Sequence, residues 1–321
     1  MRQLRRDFIK ERWVVISSER GKRPLQFPEQ SRYRPRGDPS TCPFCPGNEN
    51  MTPPQVYVVE GDGGWKIRVV PNKYPILSPG EDGERIGEIP FISAPAKGVH
   101  EVIIESPSHF DTIGSMEPFQ VLLILKTYRE RLKDLKGKYP FAMVFKNRGP
   151  EGGASLSHPH SQLIASGFLP DSVERELRVF EEFRERGICP VCLLMNREVE
   201  SERLVFQTEN FAVFCPYFSA FPFEVWIVPK KHLPAFEEAD DSLLKELAGV
   251  YRKIMGALDR ALDFPSLNMM LRSRPFSGGE YHWRMEIIPR LTKPAGFEWG
   301  AEVFVNIVPP ERAALELRRN L

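Results

Sequence analysis

Short apolar runs and one long amphipathic stretch organise the first half of the chain. Positions 13–17, 56–60, 66–70, 99–105 and 141–147 are rich in Val, Ile, Phe and Trp and predict strands. Gly61-Asp62-Gly63-Gly64 lies between two of them as a hairpin signal. Over positions 116–135, Phe119, Leu122, Leu125 and Leu132 recur at helical spacing with Arg, Lys and Glu on the other face, and Gly137 stops the pattern. The second half repeats the plan. Strands are predicted at 204–207, 211–215 and 225–229, a helix within 240–262, then strands near 267–272 and 285–288. A charged helical stretch at 171–186 bridges the halves and places the boundary near residue 170. These patterns predict two α+β domains, residues 1–170 and residues 171–321.

Length and composition agree with that division. The chain has 321 residues, and domains run to about 100–200 residues each, so two are expected. Lys and Arg total 44 against 43 Asp and Glu, a net charge of +1, which supplies no global field for nucleic acid or an anionic membrane. An anionic ligand must then be held by a few placed groups. The apolar stretches are far shorter than a membrane span, and the first fifteen positions alternate charge with short apolar runs instead of forming a signal-peptide core. The expectation is a cytoplasmic protein.

The five cysteines change the picture most. Cys42 and Cys45 form one C-x-x-C, Cys189 and Cys192 form another, and Cys215 stands alone as a plain core candidate. From Cys45 to His109 is 64 residues and from His109 to His158 is 49; from Cys192 to His232 is 40 and from His232 to His282 is 50. The last interval is nearly equal in the two halves, as a duplicated domain would leave it. Two Cys₂His₂ zinc sites are therefore predicted, Cys42, Cys45, His109 and His158 in one half and Cys189, Cys192, His232 and His282 in the other. A redox C-x-x-C belongs near a βαβ pattern, and neither pair sits in one. A zinc ribbon separates its cysteine pairs by about 15–20 residues, whereas here the offset is 147. His100 has no place in either series.

Gly152-Gly153-Ala154-Ser155-Leu156-Ser157-His158-Pro159-His160-Ser161-Gln162 is the most specific segment. On extended backbone His158, His160 and Gln162 share a face, so one ion and one reacting centre become neighbours. The matching string in the second half is His282-Trp283-Arg284-Met285-Glu286, which keeps the first His and replaces the others with Arg284 and Glu286. His160 is thus the candidate nucleophile and Gln162 the candidate donor to a phosphoryl oxygen. Pro159 cannot donate to a ladder, so an edge strand or the mouth of a cleft is expected for this segment.

Taken with Lys10-Glu11-Arg12-Trp13, Arg20-Gly21-Lys22-Arg23-Pro24, Asn72-Lys73-Tyr74-Pro75, Asn147 and Gly296-Phe297-Glu298, these residues resemble the galactose-1-phosphate uridylyltransferase family, a tandem branch of the histidine-triad superfamily. The resemblance implies an α+β fold of two tandem histidine-triad-like domains, each an antiparallel sheet with helices. It implies ping-pong transfer in which His160 attacks the α-phosphorus of UDP-glucose, expels glucose 1-phosphate and carries UMP to galactose 1-phosphate. It assigns metal binding to His158 with Cys42, Cys45 and His109, and phosphoryl contact to Gln162. Arg20, Arg23, Asn147 and Ser155 would contact phosphates or sugar, and Asn72 and Tyr74 the nucleoside. Lys293, Phe297 and Glu298 would act on the sugar side from the second subunit of a homodimer.

Two departures bear on the donor. Lys73 stands where many uridylyl-transferring members carry an acidic residue, and the tail after Glu298 lacks their glutamine. The set Cys189, Cys192, His232 and His282 is that of a branch including an ADP-glucose phosphorylase. Hexose-1-phosphate uridylyltransferase is the leading expectation, and an ADP-glucose phosphorylase or adenylyltransferase using the same histidine is the alternative. A non-enzymatic zinc-scaffolded binding protein is the third reading, opposed by the retention of His160 and Gln162 in one half alone.

Overall fold

A computed structural model describes residues 2–19, 33–80 and 87–321. Its elements in chain order are β1 (Arg2–Asp7), β2 (Arg12–Ser17), β3 (Tyr57–Gly61), β4 (Gly64–Pro71), β5 (Gly98–Ile104), α1 (Pro118–Leu135), β6 (Phe141–Arg148), β7 (His160–Ser166), α2 (Asp171–Arg184) and α3 (Pro190–Glu198). They continue with β8 (Leu204–Gln207), β9 (Phe211–Phe214), β10 (Val225–Pro229), α4 (Asp241–Leu262), β11 (Leu267–Arg272), β12 (Arg284–Pro289), α5 (Gly296–Ala301), β13 (Phe304–Asn306) and α6 (Pro310–Arg319). The class is α+β, as the patterns predict.

Ten strands form one antiparallel sheet in the order β3-β4-β5-β7-β6-β11-β12-β10-β9-β8. Read inward from each edge, the two sets of five follow the same path, and they meet where β6 pairs with β11, Val144 opposite Leu271 and Asn147 opposite Asn268. The central strands alternate faces, which sends Ile103, Val144, Leu163, Leu271, Met285 and Ile287 to one side. There they meet the apolar stripes of α1 (Val121, Leu125, Tyr128, Leu132) and α4 (Leu244, Leu247, Tyr251, Ile254, Leu258). Asp240 caps α4 by accepting from Leu243 N at 2.8 Å. On the opposite face a smaller cluster of Cys42, Phe44, Cys45, Val70, Val102 and Ile104 lies in the first half, and another built on Phe180, Val191, Phe214 and Trp226 in the second.

Two expectations need correction. Phe119 is 66% exposed and not part of the helix's buried stripe. It follows Pro118 in the first turn, and the stripe begins at Val121. Of the two places expected for the segment around Pro159, the edge strand is overturned, because β7 is central, paired to β5 on one side and β6 on the other, while the cleft holds, since His160 and Gln162 line one. Pro159 immediately precedes the first strand residue, so no ladder donor is lost, and its carbonyl accepts from Glu105 N at 3.1 Å. The hairpin at Gly61 is as predicted: Gly61 pairs with Gly64, and Gly63 takes the left-handed φ of +82° that favours glycine.

Candidate active site and metal centres

The Cys42–Cys45 turn, the loop after β5 and the residue pair before β7 converge on one point. One ligand atom from each of Cys42, Cys45, His109 and His158 lies within 4.8 Å of the others, and all four residues are buried. Cys45 Sγ is 3.3 Å from His109 Nδ1 and 3.5 Å from His158 Nδ1. A tetrahedral zinc ion with ordinary bond lengths places S and N about 3.5 Å apart, so donor type and spacing both fit. The outer nitrogens are committed: His109 Nε2–H donates to Arg36 O at 3.2 Å and His158 Nε2–H to Ser106 O at 2.7 Å. Those bonds fix the tautomer that turns Nδ1 toward the sulfurs. Burial pushes His158 down to about 4, which keeps the neutral form a ligand needs.

The second cluster repeats this design nearer the surface. Cys189, Cys192, His232 and His282 also bring their ligand atoms within 4.8 Å, with His282 buried and His232 exposed. Cys192 Sγ is 3.3 Å from His282 Nδ1 and 3.7 Å from His232 Nδ1, and His282 Nε2–H donates to Pro229 O at 3.0 Å. Pro190 opens α3 at its first position and Cys189 caps it.

His160 stands one pleat beyond the first cluster. Its Nδ1–H donates to His158 O at 2.8 Å, which leaves the Nε2 lone pair as the free one on the ring. Burial pushes its pKa below the usual histidine range and the charge of Lys146 adds to this, so the ring is neutral. Phe44, inside the C-x-x-C turn, sets its ring edge-on to His160 at 5.4 Å and to His158 at 6.0 Å. The Cys42–Cys45 turn is therefore also a wall of the pocket that holds His160. The pocket opens as a cleft of about 470 Å³ that His160 and Gln162 line together with Phe44, Asn72, Tyr74 and Ser155.

His100, to which the sequence gives no role, orients Gln162. Ile76 N–H donates to His100 Nδ1 at 3.3 Å, so the ring proton is on Nε2, and that N–H donates to Gln162 Oε1 at 2.7 Å. The carboxamide nitrogen of Gln162 is then left for the cleft. Asn72 Oδ1 accepts from Tyr74 N at 2.9 Å, fixing a turn from which the Tyr74 ring stands 80% exposed. Asn147 accepts from Asn268 Nδ2 at 2.9 Å across the β6–β11 seam and, with Ser157 and His160, lines a second, small cavity instead of the cleft.

Other predicted residues are not brought to this cleft by their own chain. Lys293 pairs with Glu151 at 2.8 Å, on the loop that precedes Gly152. Glu298 caps α5 by accepting from Ala295 N at 3.0 Å, and Phe297 is largely exposed. Arg20 and Arg23 lie outside the described residues.

The matching place in the second half is a cavity of about 380 Å³ filled differently. Arg284, fully buried, donates to Glu176 and, at 3.0 Å, to Glu286, which also accepts from Lys10 Nζ at 2.6 Å. Burial pushes the Glu286 carboxyl up, but Lys10, Arg272 and Arg284 together reverse this and hold it well below the usual carboxylate range. A depressed carboxyl contributes stability above its unfolded pKa of about 4.5 and loses it as pH falls through the folded value. Lys10→Met is therefore expected to cost about 3 kcal/mol at pH 7, the low end for removing one partner of a buried pair, because Arg272 and Arg284 still face Glu286. In urea titrations the difference from wild type should persist through the usual carboxylate range and shrink only at lower pH, as Glu286 takes up its proton in the folded state; a difference that does not shrink there would assign the loss to packing.

Residues 1–170 match the family described as galactose-1-phosphate uridyl transferase, N-terminal domain, which is more than half of the chain. The protein belongs to the galactose-1-phosphate uridylyltransferase family. An ADP-glucose phosphorylase of Arabidopsis thaliana is 33% identical over 328 residues, covering 98% of this chain and 92% of the relative. A galactose-1-phosphate uridylyltransferase of Thermotoga maritima is 31% identical over 338 residues, covering 99% and 98%. Among solved structures, an Arabidopsis ADP-glucose phosphorylase with bound ADP-glucose superposes with a TM-score of 0.85 at 30% identity over 99% of both chains. A uridylyltransferase structure gives a TM-score of 0.76 at 29% identity over 100% of this chain and 98% of its own. Family members are enzymes, which sets aside the non-enzymatic reading. Among the described residues no helix is long and apolar enough to cross a membrane.

Proposed function

We propose that this family member transfers a nucleotidyl group from a nucleotide sugar by double displacement at His160. The observation that carries the reading is the pairing of a neutral, buried imidazole whose Nδ1–H is committed to His158 O with an oriented Gln162 in the same cleft. The Nε2 lone pair attacks the α-phosphorus, the P–N bond forms, and the bond to the bridging oxygen breaks as the sugar phosphate leaves. In the second half-reaction an oxygen of the acceptor phosphate attacks the same phosphorus and returns the electron pair to Nε2. The Gln162 amide donates to the phosphoryl oxygens as their charge shifts. Zinc is the ion both donor sets fit. In the first cluster Cys42, Cys45, His109 and His158 would hold it as a structural tie that fixes the Phe44 wall and the start of β7.

The leading donor is UDP-glucose, with galactose 1-phosphate as acceptor. A second reading, ADP-glucose with phosphate or a sugar phosphate as acceptor, is favoured by Lys73 at the cleft and by the likeness to an ADP-glucose phosphorylase along the whole chain. Asn72, Tyr74 and Ser155 line the cleft where a nucleotide would lie. Lys293, Phe297 and Glu298 are read as the face that a second copy of the chain brings to the cleft, making the working unit a homodimer.

Incubation with α-labelled UDP-glucose or ADP-glucose, without acceptor, tests this reading. Acid-labile label on the chain is expected from one of them, and the donor that labels faster identifies the base. Label from neither overturns the covalent mechanism.

A further inference from the structure

Every residue of the string 158–161 is tied to one short segment, Glu105 and Ser106, or to the lysine that Glu105 holds. His158 donates to Ser106 O at 2.7 Å and Pro159 O accepts from Glu105 N at 3.1 Å. His160 O accepts from Lys146 Nζ at 3.0 Å, and Ser161 Oγ donates to the Glu105 carboxylate. Lys146 Nζ donates to the same carboxylate, and Tyr128 of α1 reaches it at 2.9 Å while standing 2.5 Å from Ser161 Oγ. Glu105 and Ser161 are fully buried and Lys146 nearly so. This group occupies the helix-covered face of the sheet, and none of Glu105, Tyr128, Lys146 and Ser161 lines the cleft.

A buried ion pair is no aid to stability compared with apolar residues of similar size, so its presence calls for a reason. The second half supplies an internal comparison. Ile227 pairs with Met285 as Ile103 pairs with Ser161, so Pro229 follows where Glu105 follows. Phe145 pairs with Gln162, carrying Lys146 opposite Ser161, and Leu271 pairs with Met285. Pro229, Leu271 and Met285 thus replace Glu105, Lys146 and Ser161, and Arg284 stands where His160 stood. The half without the nucleophile lacks the charged pair as well, although it keeps a Cys₂His₂ cluster and the same strand order.

We propose that Glu105 and Lys146 are positioning residues for the reaction, acting through the main chain of 159–161 to hold His160 at the angle its attack requires. This rests on the proposed role of His160. The pair's side chains hold the His160 carbonyl through Lys146 Nζ and the Ser161 hydroxyl through the Glu105 carboxylate, while the Pro159 carbonyl is held by the Glu105 main chain, so loss of the pair lets the start of β7 rotate about that remaining bond while substrate contacts in the cleft stay in place.

The test uses the metal-loaded protein and the double variant Glu105→Gln with Lys146→Met, which removes both charges but keeps an acceptor for Ser161 and Tyr128. Either single substitution leaves a buried charge unpaired and loses fold, whereas the double variant is expected to melt near wild type with unchanged metal content. Its single-turnover labelling by the preferred donor should fall about 10–100-fold, the scale of a small misplacement of a reacting group. Nucleotide affinity should stay within about threefold, since no cleft contact changes. In parallel, the hydrogen-bonded Nδ1–H proton resonance of His160, assigned by its absence from His160→Gly, should be sharp in wild type and broadened or lost in the double variant. A folded double variant that labels at the wild-type rate, or keeps the wild-type resonance, overturns the proposal. Should wild type accept no label from any donor, the transfer reading fails by that result, and the resonance alone decides the positioning role.

Discussion

His160→Gly is expected to take up no label from a nucleotide-sugar donor while keeping its fold and two equivalents of metal. Loss of the nucleophile in a covalent mechanism removes about 10⁴-fold or more of the rate, because neither neighbouring side chain with a lone pair can take its place. Ser161 cannot substitute, since it faces α1 and Glu105 on the other side of the sheet. His158 cannot either, as its Nδ1 faces the cysteines and its Nε2–H is spent on Ser106 O. The contrast with the metal site is sharp because only one residue separates the two histidines. Retention of metal by His160→Gly, read by elemental analysis, separates nucleophile from ligand; loss of metal and fold in this variant would reverse the two roles.

Removing the first metal ligand set is expected to produce the second large effect, of a different kind. His158→Ala should lose one equivalent of zinc, destabilise the protein by several kcal/mol and abolish labelling, because metal binding free energy is folding free energy for a buried set. Packing links the first cluster to the cleft. Phe44 sits between the two cysteines and forms the wall against His160, so slackening of the turn opens the pocket. His232→Ala, at the exposed corner of the second cluster, should also lose one equivalent but keep labelling within about threefold, since none of its four residues lines the cleft. Thermal melts, metal content and labelling on the same preparations check all three statements. Equal loss of activity in the two variants would show that the second cluster also supports the catalytic cleft.

Sequence reasoning reaches furthest where the signal is periodic or chemically rigid. Strands at 204–207, 225–229 and 267–272 appear as β8, β10 and β11 with the same limits, because each is a run of apolar residues bounded by turn residues. Both Cys₂His₂ sets are legible because two thiolates and two imidazoles at a repeated spacing suit a tetrahedral metal site and little else. The features that escape a sequence reading are those set by partners far along the chain. Glu105 and Lys146 read as ordinary charges ending strands, and only the pairing of β5, β7 and β6 brings them together. His100 lacks a partner in sequence and gains one through the register that sets it near Gln162. α3 is not predicted because Cys189-Pro190-Val191-Cys192 reads as a turn, whereas the proline starts a helix. β1 is missed because Arg2-Gln3-Leu4-Arg5-Arg6-Asp7 is nearly all polar, and it is held by pairing to β2.

The central claim is that a nucleotidyl group resides on one named nitrogen between half-reactions. Peptide mapping by mass spectrometry, on protein incubated with the preferred donor and kept at alkaline pH to preserve a phosphoramidate, measures it directly. The account predicts a single nucleoside monophosphate adduct within the peptide containing residues 158–162, with fragments placing it on His160. An adduct on His158, on a residue outside that peptide, or a donor turned over with no adduct at any time point, would contradict it.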